Sequence, residues 1–140
     1  MSLRVNDLIH AFRAEDAANL PGVLPSLKDL FALPRTPEDP VTGIFLSSGD
    51  PTAAEICASA GFDYLLVDGE HSPLSLESIQ AQLRAIAGYP TLSVVRVPSN
   101  DEVVIKQYLD LGVQSLIVPM VDSVACLLYT SDAADEEDSV

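Results

Sequence analysis

Two carboxylates stand within three residues of an imidazole in Val67-Asp68-Gly69-Glu70-His71-Ser72-Pro73. A carboxylate beside a histidine fixes its tautomer and raises its basicity, and a base that titrates near neutrality suits proton abstraction. His71 therefore reads as a candidate general base, with a structural histidine that caps the next helix as the alternative. Gly69 lets the backbone turn tightly and approach a ligand. Arg96 stands near the end of the apolar run Leu92-Ser93-Val94-Val95-Arg96-Val97, where an unpaired guanidinium would be costly. It must meet an anion, either Asp68 or Glu70 in an ion pair, or a carboxylate or 2-oxo acid held in its bidentate fork. The residues alone leave both open. His10, among prolines and without a partner nearby, reads as a surface residue, and Lys106 as a solvated or salt-bridged one rather than a Schiff-base lysine. Gly43, Gly49 and Gly61 are too scattered for a phosphate loop. Cys57 and Cys126 make neither a disulfide framework nor a metal spacing, and Cys57 is expected to be a buried thiol.

These groups need elements that bring residues 68–71 and 96 together. Gly43 to Ser47 reads as a short strand, after which Asp50 caps a helix with Pro51 in its first position that runs to Gly61. Tyr64-Leu65-Leu66-Val67 is an apolar run of the kind buried on both faces. Leu76, Ile79, Leu83 and Ile86, spaced three, four and three apart, give a second helix one apolar stripe. Leu92 to Val97 follows as a strand, Asn100, Asp101 and Glu102 open a third helix that Gly112 closes, and Ser115 to Met120 reads as a fourth strand. Strands alternating with helices in this way predict right-handed βαβ units in a parallel α/β sheet. Asp68, Glu70, His71 and Arg96 then share the carboxyl edge of that sheet, closed either as an eight-stranded barrel or as an open doubly wound sheet. Residues 1–42, with Val5, Leu8, Ile9 and Phe12 and then Leu27, Leu30 and Phe31 between prolines, read as a helical arm.

Composition agrees with this class. Of 140 residues 48% are apolar and only 6% aromatic with no Trp, the usual material of buried strands under helices. A formal charge of −14 with seven Lys and Arg excludes nucleic acid as a partner, because phosphate binding needs clustered cations. No apolar run approaches the roughly 18 residues of a membrane span, and no secretory signal pattern opens the chain. No membrane association and a cytoplasmic location are expected.

Five blocks resemble the HpcH/HpaI aldolase family in order and spacing: Ala54-Glu55-Ile56 with Ala60-Gly61-Phe62-Asp63-Tyr64, Val67 to Pro73, Val94-Val95-Arg96-Val97-Pro98, Ile105 to Gly112, and Ile117-Val118-Pro119-Met120-Val121. The resemblance covers residues 43–125. It implies a (β/α)8 barrel and a class II, metal-dependent carbon–carbon lyase. Such an enzyme cleaves or forms 4-hydroxy-2-oxo acids, to or from a pyruvate-type 2-oxo acid and an aldehyde, using Mg²⁺ or Mn²⁺. It further implies His71 as the base, Arg96 as the group that stabilises the enolate, and Asp110 as the acid that makes the histidine more basic. The chain order itself argues otherwise for Asp110, since the end of the third helix belongs to the face opposite the site of a regular barrel. Asp68 or Glu70 is then the supporting, orienting carboxylate. His71-Ser72-Pro73-Leu74 departs from the family's frequent Ala and Asn at the second and fourth places, and the arm is longer than the family's usual single helix.

A complete barrel needs about 250 residues, so residues 43–125 read as its first half, about four βα units, and the family's metal ligands are expected to be absent from this chain. Residues 126–140, with five acids and no base, read as a non-native acidic tail on a truncated gene fragment. The chain by itself is expected to be inactive and prone to aggregate, and its parent to be a homo-oligomer. Two other functions fit the same elements: a citrate-lyase β-like acyl-CoA lyase, and a non-catalytic α/β module in which His71 and Arg96 share no site.

Overall fold

The computed structural model describes residues 27–32 and 36–124; the expectations for residues 5–12, for His10, for Cys126 and for the 126–140 tail lie outside them. Of the arm, helix α1 (Leu27–Ala32) is described, followed by a turn closed by the Asp39 N–H on the Thr36 carbonyl at 3.0 Å. The regular part then runs β1 (Gly43–Leu46), α2 (Pro51–Ser59), β2 (Tyr64–Asp68), α3 (Leu76–Ile86), β3 (Leu92–Arg96), α4 (Glu102–Asp110) and β4 (Leu116–Ile117). The strands are parallel and ordered β1-β2-β3-β4. A doubly wound sheet reverses direction after its first strands and leaves β1 inside; a chain that steps one place at a time in one direction is winding a barrel.

Short-range chemistry sets the helix starts. The Asp50 carboxylate accepts from the Thr52 N–H at 2.8 Å ahead of Pro51. Ser75 and Ser78 form a reciprocal capping box at the head of α3. At α4 the cap is Asp101 rather than Asn100: its backbone is extended and its carboxylate takes the Val104 N–H at 3.1 Å. Gly61 and Gly112, with φ of 91° and 86°, turn the chain out of α2 and α4 in the left-handed region that glycine tolerates.

β4 is shorter than the Ser115–Met120 run predicted for it. Its ladder is carried by the Val95 N–H on Ser115 and the Val97 N–H on Ile117 at 2.9 and 3.1 Å. Pro119 then removes the next donor that β4 would offer to β3.

Side chains alternate across the sheet. Leu65, Val67, Val95 and Val97 are buried against Ala54, Ala58, Ile79, Ile86, Ile105 and Tyr108 of the helices. On the opposite face Leu92 and Tyr64 meet Leu30 of α1, which covers the amino end of that face. Cys57 is half-buried rather than buried, because it sits at the edge of the α2 stripe formed by Ala54 and Ala58. Among the described residues no helix is long and apolar enough to cross a membrane.

Candidate active site

Asp68 ends β2, Arg96 ends β3, and the parallel register makes them direct partners. Neighbouring strand positions in register carry their side chains on the same face, so the two meet without any loop to place them. Arg96 Nε donates to Asp68 Oδ1 at 2.9 Å and Nη2 to Oδ2 at 2.8 Å. This is the planar two-bond fork that guanidinium and carboxylate form best. Asp68 Oδ1 also accepts the backbone N–H groups of Glu70 and His71, each at 3.2 Å. One carboxylate thus folds the Asp68–His71 turn and aims the arginine.

The third Arg96 nitrogen, Nη1, lies 3.1 Å from Glu70 Oε2. The same oxygen lies 3.5 Å from His71 Nε2. Arg96 and His71 therefore converge on a single acceptor. The Asp68 and Glu70 side chains are 7% and 16% exposed, that of Arg96 22% and that of His71 67%, so the imidazole alone stands open to a solute. The guanidinium carbon lies 5.6 Å from the Phe45 ring centroid, within range of a cation–π contact.

Arg96 holds the Asp68 carboxyl below the usual carboxylate range, aided by the two backbone N–H groups and opposed by burial. The folded value is depressed, so the stabilisation is fully present above the unfolded value of about 3.9 and is lost as pH falls through the lower folded value. In urea unfolding, the stability gap between the wild-type chain and Asp68→Asn is expected to be constant above about pH 5 and to shrink below about pH 4. A gap that stays constant down to pH 2 would contradict the linkage.

The structure brings together four of the residues singled out in the sequence, Asp68, Glu70, His71 and Arg96, and leaves the fifth aside. Asp110 is exposed at the end of α4. No hydrogen bond or ion pair among the described residues joins it to His71; α4 runs back towards the amino edge, and Glu70 takes the place beside the imidazole. Arg96 pairs with both of the carboxylates that the sequence offers it, Asp68 and Glu70. Gly69 does make a close approach, but to protein: a Cβ there would lie 2.7 Å from the Arg96 carbonyl oxygen and 2.8 Å from Tyr108 Oη. Lys106 pairs with Glu102 one turn away at 2.8 Å, as a salt-bridged surface lysine does. Phe45 and Tyr108 were not picked out, although strand alternation puts Phe45 opposite the buried Leu46 and Tyr108 is a phenol on the buried stripe of α4.

A divalent metal is not accommodated by these side chains alone. Among the described residues no three His, Cys, Asp or Glu converge on a point. Both Asp68 oxygens are committed to Arg96, and Glu70 Oε2 to Arg96 and His71. A cavity of about 320 Å³ lies elsewhere, between the carboxyl half of α3 and the turn that follows α4, bordered by Leu83, Arg84, Thr91, Ser93 and Gln114. It contains none of the charged cluster.

The model of the HpcH/HpaI aldolase/citrate lyase family matches residues 41–137. The chain belongs to that family. A hydroxypyruvate/pyruvate aldolase of Deinococcus radiodurans is 60% identical over 84 residues, which are 60% of this chain and 30% of that protein. A 4-hydroxy-2-oxovalerate aldolase of Rhodococcus jostii is 60% identical over 82 residues, 58% of this chain and 32% of its own length. The chain thus spans about a third of these HpcH/HpaI relatives. An HpcH/HpaI aldolase/citrate lyase family protein of Burkholderia cenocepacia superposes with a TM-score of 0.65 at 36% identity, covering 67% of this chain and 37% of that one. The barrel-type α/β architecture expected from the sequence is borne out.

Proposed function

We propose that this chain carries the base-and-arginine half of a carbon–carbon lyase that splits 4-hydroxy-2-oxo acids into a pyruvate-type 2-oxo acid and an aldehyde. The observation that carries the reading is the meeting of His71 and Arg96 on one Glu70 oxygen at the carboxyl edge of the sheet, in a chain 60% identical to proteins named as aldolases. In this reading His71 keeps its Nε2–H toward Glu70 Oε2 and takes the proton of the 4-hydroxyl at its other ring nitrogen, Nδ1. The oxygen's electron pair becomes the aldehyde carbonyl, the C3–C4 bond breaks, and its electrons form an enolate with charge on the C2 oxygen. An Arg96 N–H donates to that oxygen, and protonation at C3 releases the 2-oxo acid. Nη1 is the nitrogen that can supply this donor, because the Nε and Nη2 fork on Asp68 holds the planar group in place and Nη1 carries a second N–H besides the one toward Glu70. A donor already in place where charge develops is the strongest kind of help a site gives.

Asp68, Glu70 and Arg96 sum to a formal −1, which does not by itself attract an anionic substrate. This supports the need for a divalent cation such as Mg²⁺ or Mn²⁺, held by ligands outside the described residues; no step above passes through it. A homo-oligomer and a cytoplasmic location belong to the same proposal. The named relatives favour aldol cleavage over acyl-CoA cleavage, and the shared Glu70 contact favours catalysis over a non-catalytic module.

A graft tests it. Residues 43–125 replace the matched segment of the Deinococcus aldolase, and pyruvate release from a 4-hydroxy-2-oxo acid is measured. Retained release that a chelator abolishes is expected. A folded, soluble graft without release, or one that acts on acyl-CoA esters instead, would reject the reading.

A further inference from the structure

Helix α4 does not reach the charged cluster through Asp110, yet another of its side chains reaches the turn that builds the cluster. Tyr108 is 5% exposed and shares the buried stripe of α4 with Ile105. Its ring and hydroxyl end beneath Gly69: a Cβ on that glycine would stand 2.8 Å from Tyr108 Oη and 3.5 Å from Cε1. Gly69 does not have a positive φ, so the position calls for glycine because of space, not backbone conformation. The Gly69 N–H is bound to the Arg96 carbonyl at 2.9 Å, and that same carbonyl oxygen would lie 2.7 Å from the missing Cβ. The peptide between Asp68 and Glu70 is thus held by a hydrogen bond to β3 and by the end of a buried phenol from α4.

On either side of this point lie the groups that make the cluster. Asp68 precedes it with both oxygens on Arg96, and Glu70 and His71 follow it with their N–H groups on Asp68 Oδ1. Protein interiors are close-packed and transmit displacements of this size instead of absorbing them. We propose that Tyr108 is a positioning residue whose packing under Gly69 fixes the Asp68–His71 turn, and with it the common Glu70 contact of His71 and Arg96. Burial raises the phenol above the usual tyrosine range, which keeps it neutral and able to pack here. The catalytic meaning of this placement rests on the aldolase reading, whereas the placement itself does not.

The test uses the 140-residue chain and needs no turnover. Hydrogen exchange is followed by NMR at the Gly69 amide and at the Arg96 Nε–H, with the Leu65 and Val67 amides of β2 as a control for global opening. Tyr108→Leu is expected to speed exchange at Gly69 and Arg96 Nε by about tenfold or more while the β2 amides change by no more than about twofold. Tyr108→Phe keeps the ring and removes the atom nearest Gly69; it is expected to speed the same two sites by only about two- to fourfold. If Tyr108→Leu does not fold, the Phe variant decides. Unchanged exchange at Gly69 and Arg96 Nε, or acceleration of all four sites alike, would overturn the proposal. A graft that lacks aldolase activity while this exchange pattern holds would reject the function and leave the positioning role standing.

Discussion

Replacing His71 with glutamine is expected to lower kcat/KM for pyruvate release by the grafted enzyme about 10²- to 10⁴-fold, the usual worth of a positioned general base. Glutamine keeps a polar side chain of similar reach but cannot take a proton. The His71 side chain is 67% exposed and its contact within the cluster is the 3.5 Å approach to Glu70. Little packing is lost, and thermal stability should stay within about 0.5 kcal/mol of the unaltered graft. The two readouts separate chemistry from folding: activity within tenfold of the parent would remove His71 as the base, whatever the melting temperature.

The second large effect is on stability. Arg96→Leu leaves Asp68, 5% exposed, without the cation that takes both of its oxygens. Stripping one partner from a buried ion pair costs about 3–5 kcal/mol, mostly for the charge left behind. Against a total of about 5–15 kcal/mol for a small domain this is enough to unfold much of the chain. Arg96→Lys should fall between, since an ammonium keeps the charge but cannot make the fork. Adding Asp68→Asn to Arg96→Leu should restore part of the loss, because the pair is then removed together. Urea unfolding of the four chains measures all of this, and a loss below about 1 kcal/mol for Arg96→Leu would show that the pair is worth no more than an exposed salt bridge.

Much of the fold could be read along the chain because its signals are local. Asp50-Pro51 announces α2, the stripe through Ile79 and Ile86 announces α3, and the run from Tyr64 to Val67 announces a central strand. The shortness of β4 was also written in Pro119, but only to a reader who already knew that this segment pairs with β3. The cluster was legible in part for the same reason. Asp68, Glu70 and His71 stand side by side in sequence, and the position of Arg96 at a strand end demanded an anion. Which anion depended on the β2–β3 register, a property of two segments together. Tyr108 lies 39 positions beyond Gly69, so no pattern within either segment could pair them. The exposed place of Asp110 follows from helix direction, since the end of α4 lies away from the carboxyl edge.

Glu70 Oε2 serves two donors at once, and that makes His71 and Arg96 answer to each other. A substrate oxygen that captures Nη1 withdraws one claim on the carboxylate, which is then free to close its 3.5 Å gap to the imidazole. Occupancy at the arginine would thus be felt at the imidazole through a single carboxylate oxygen.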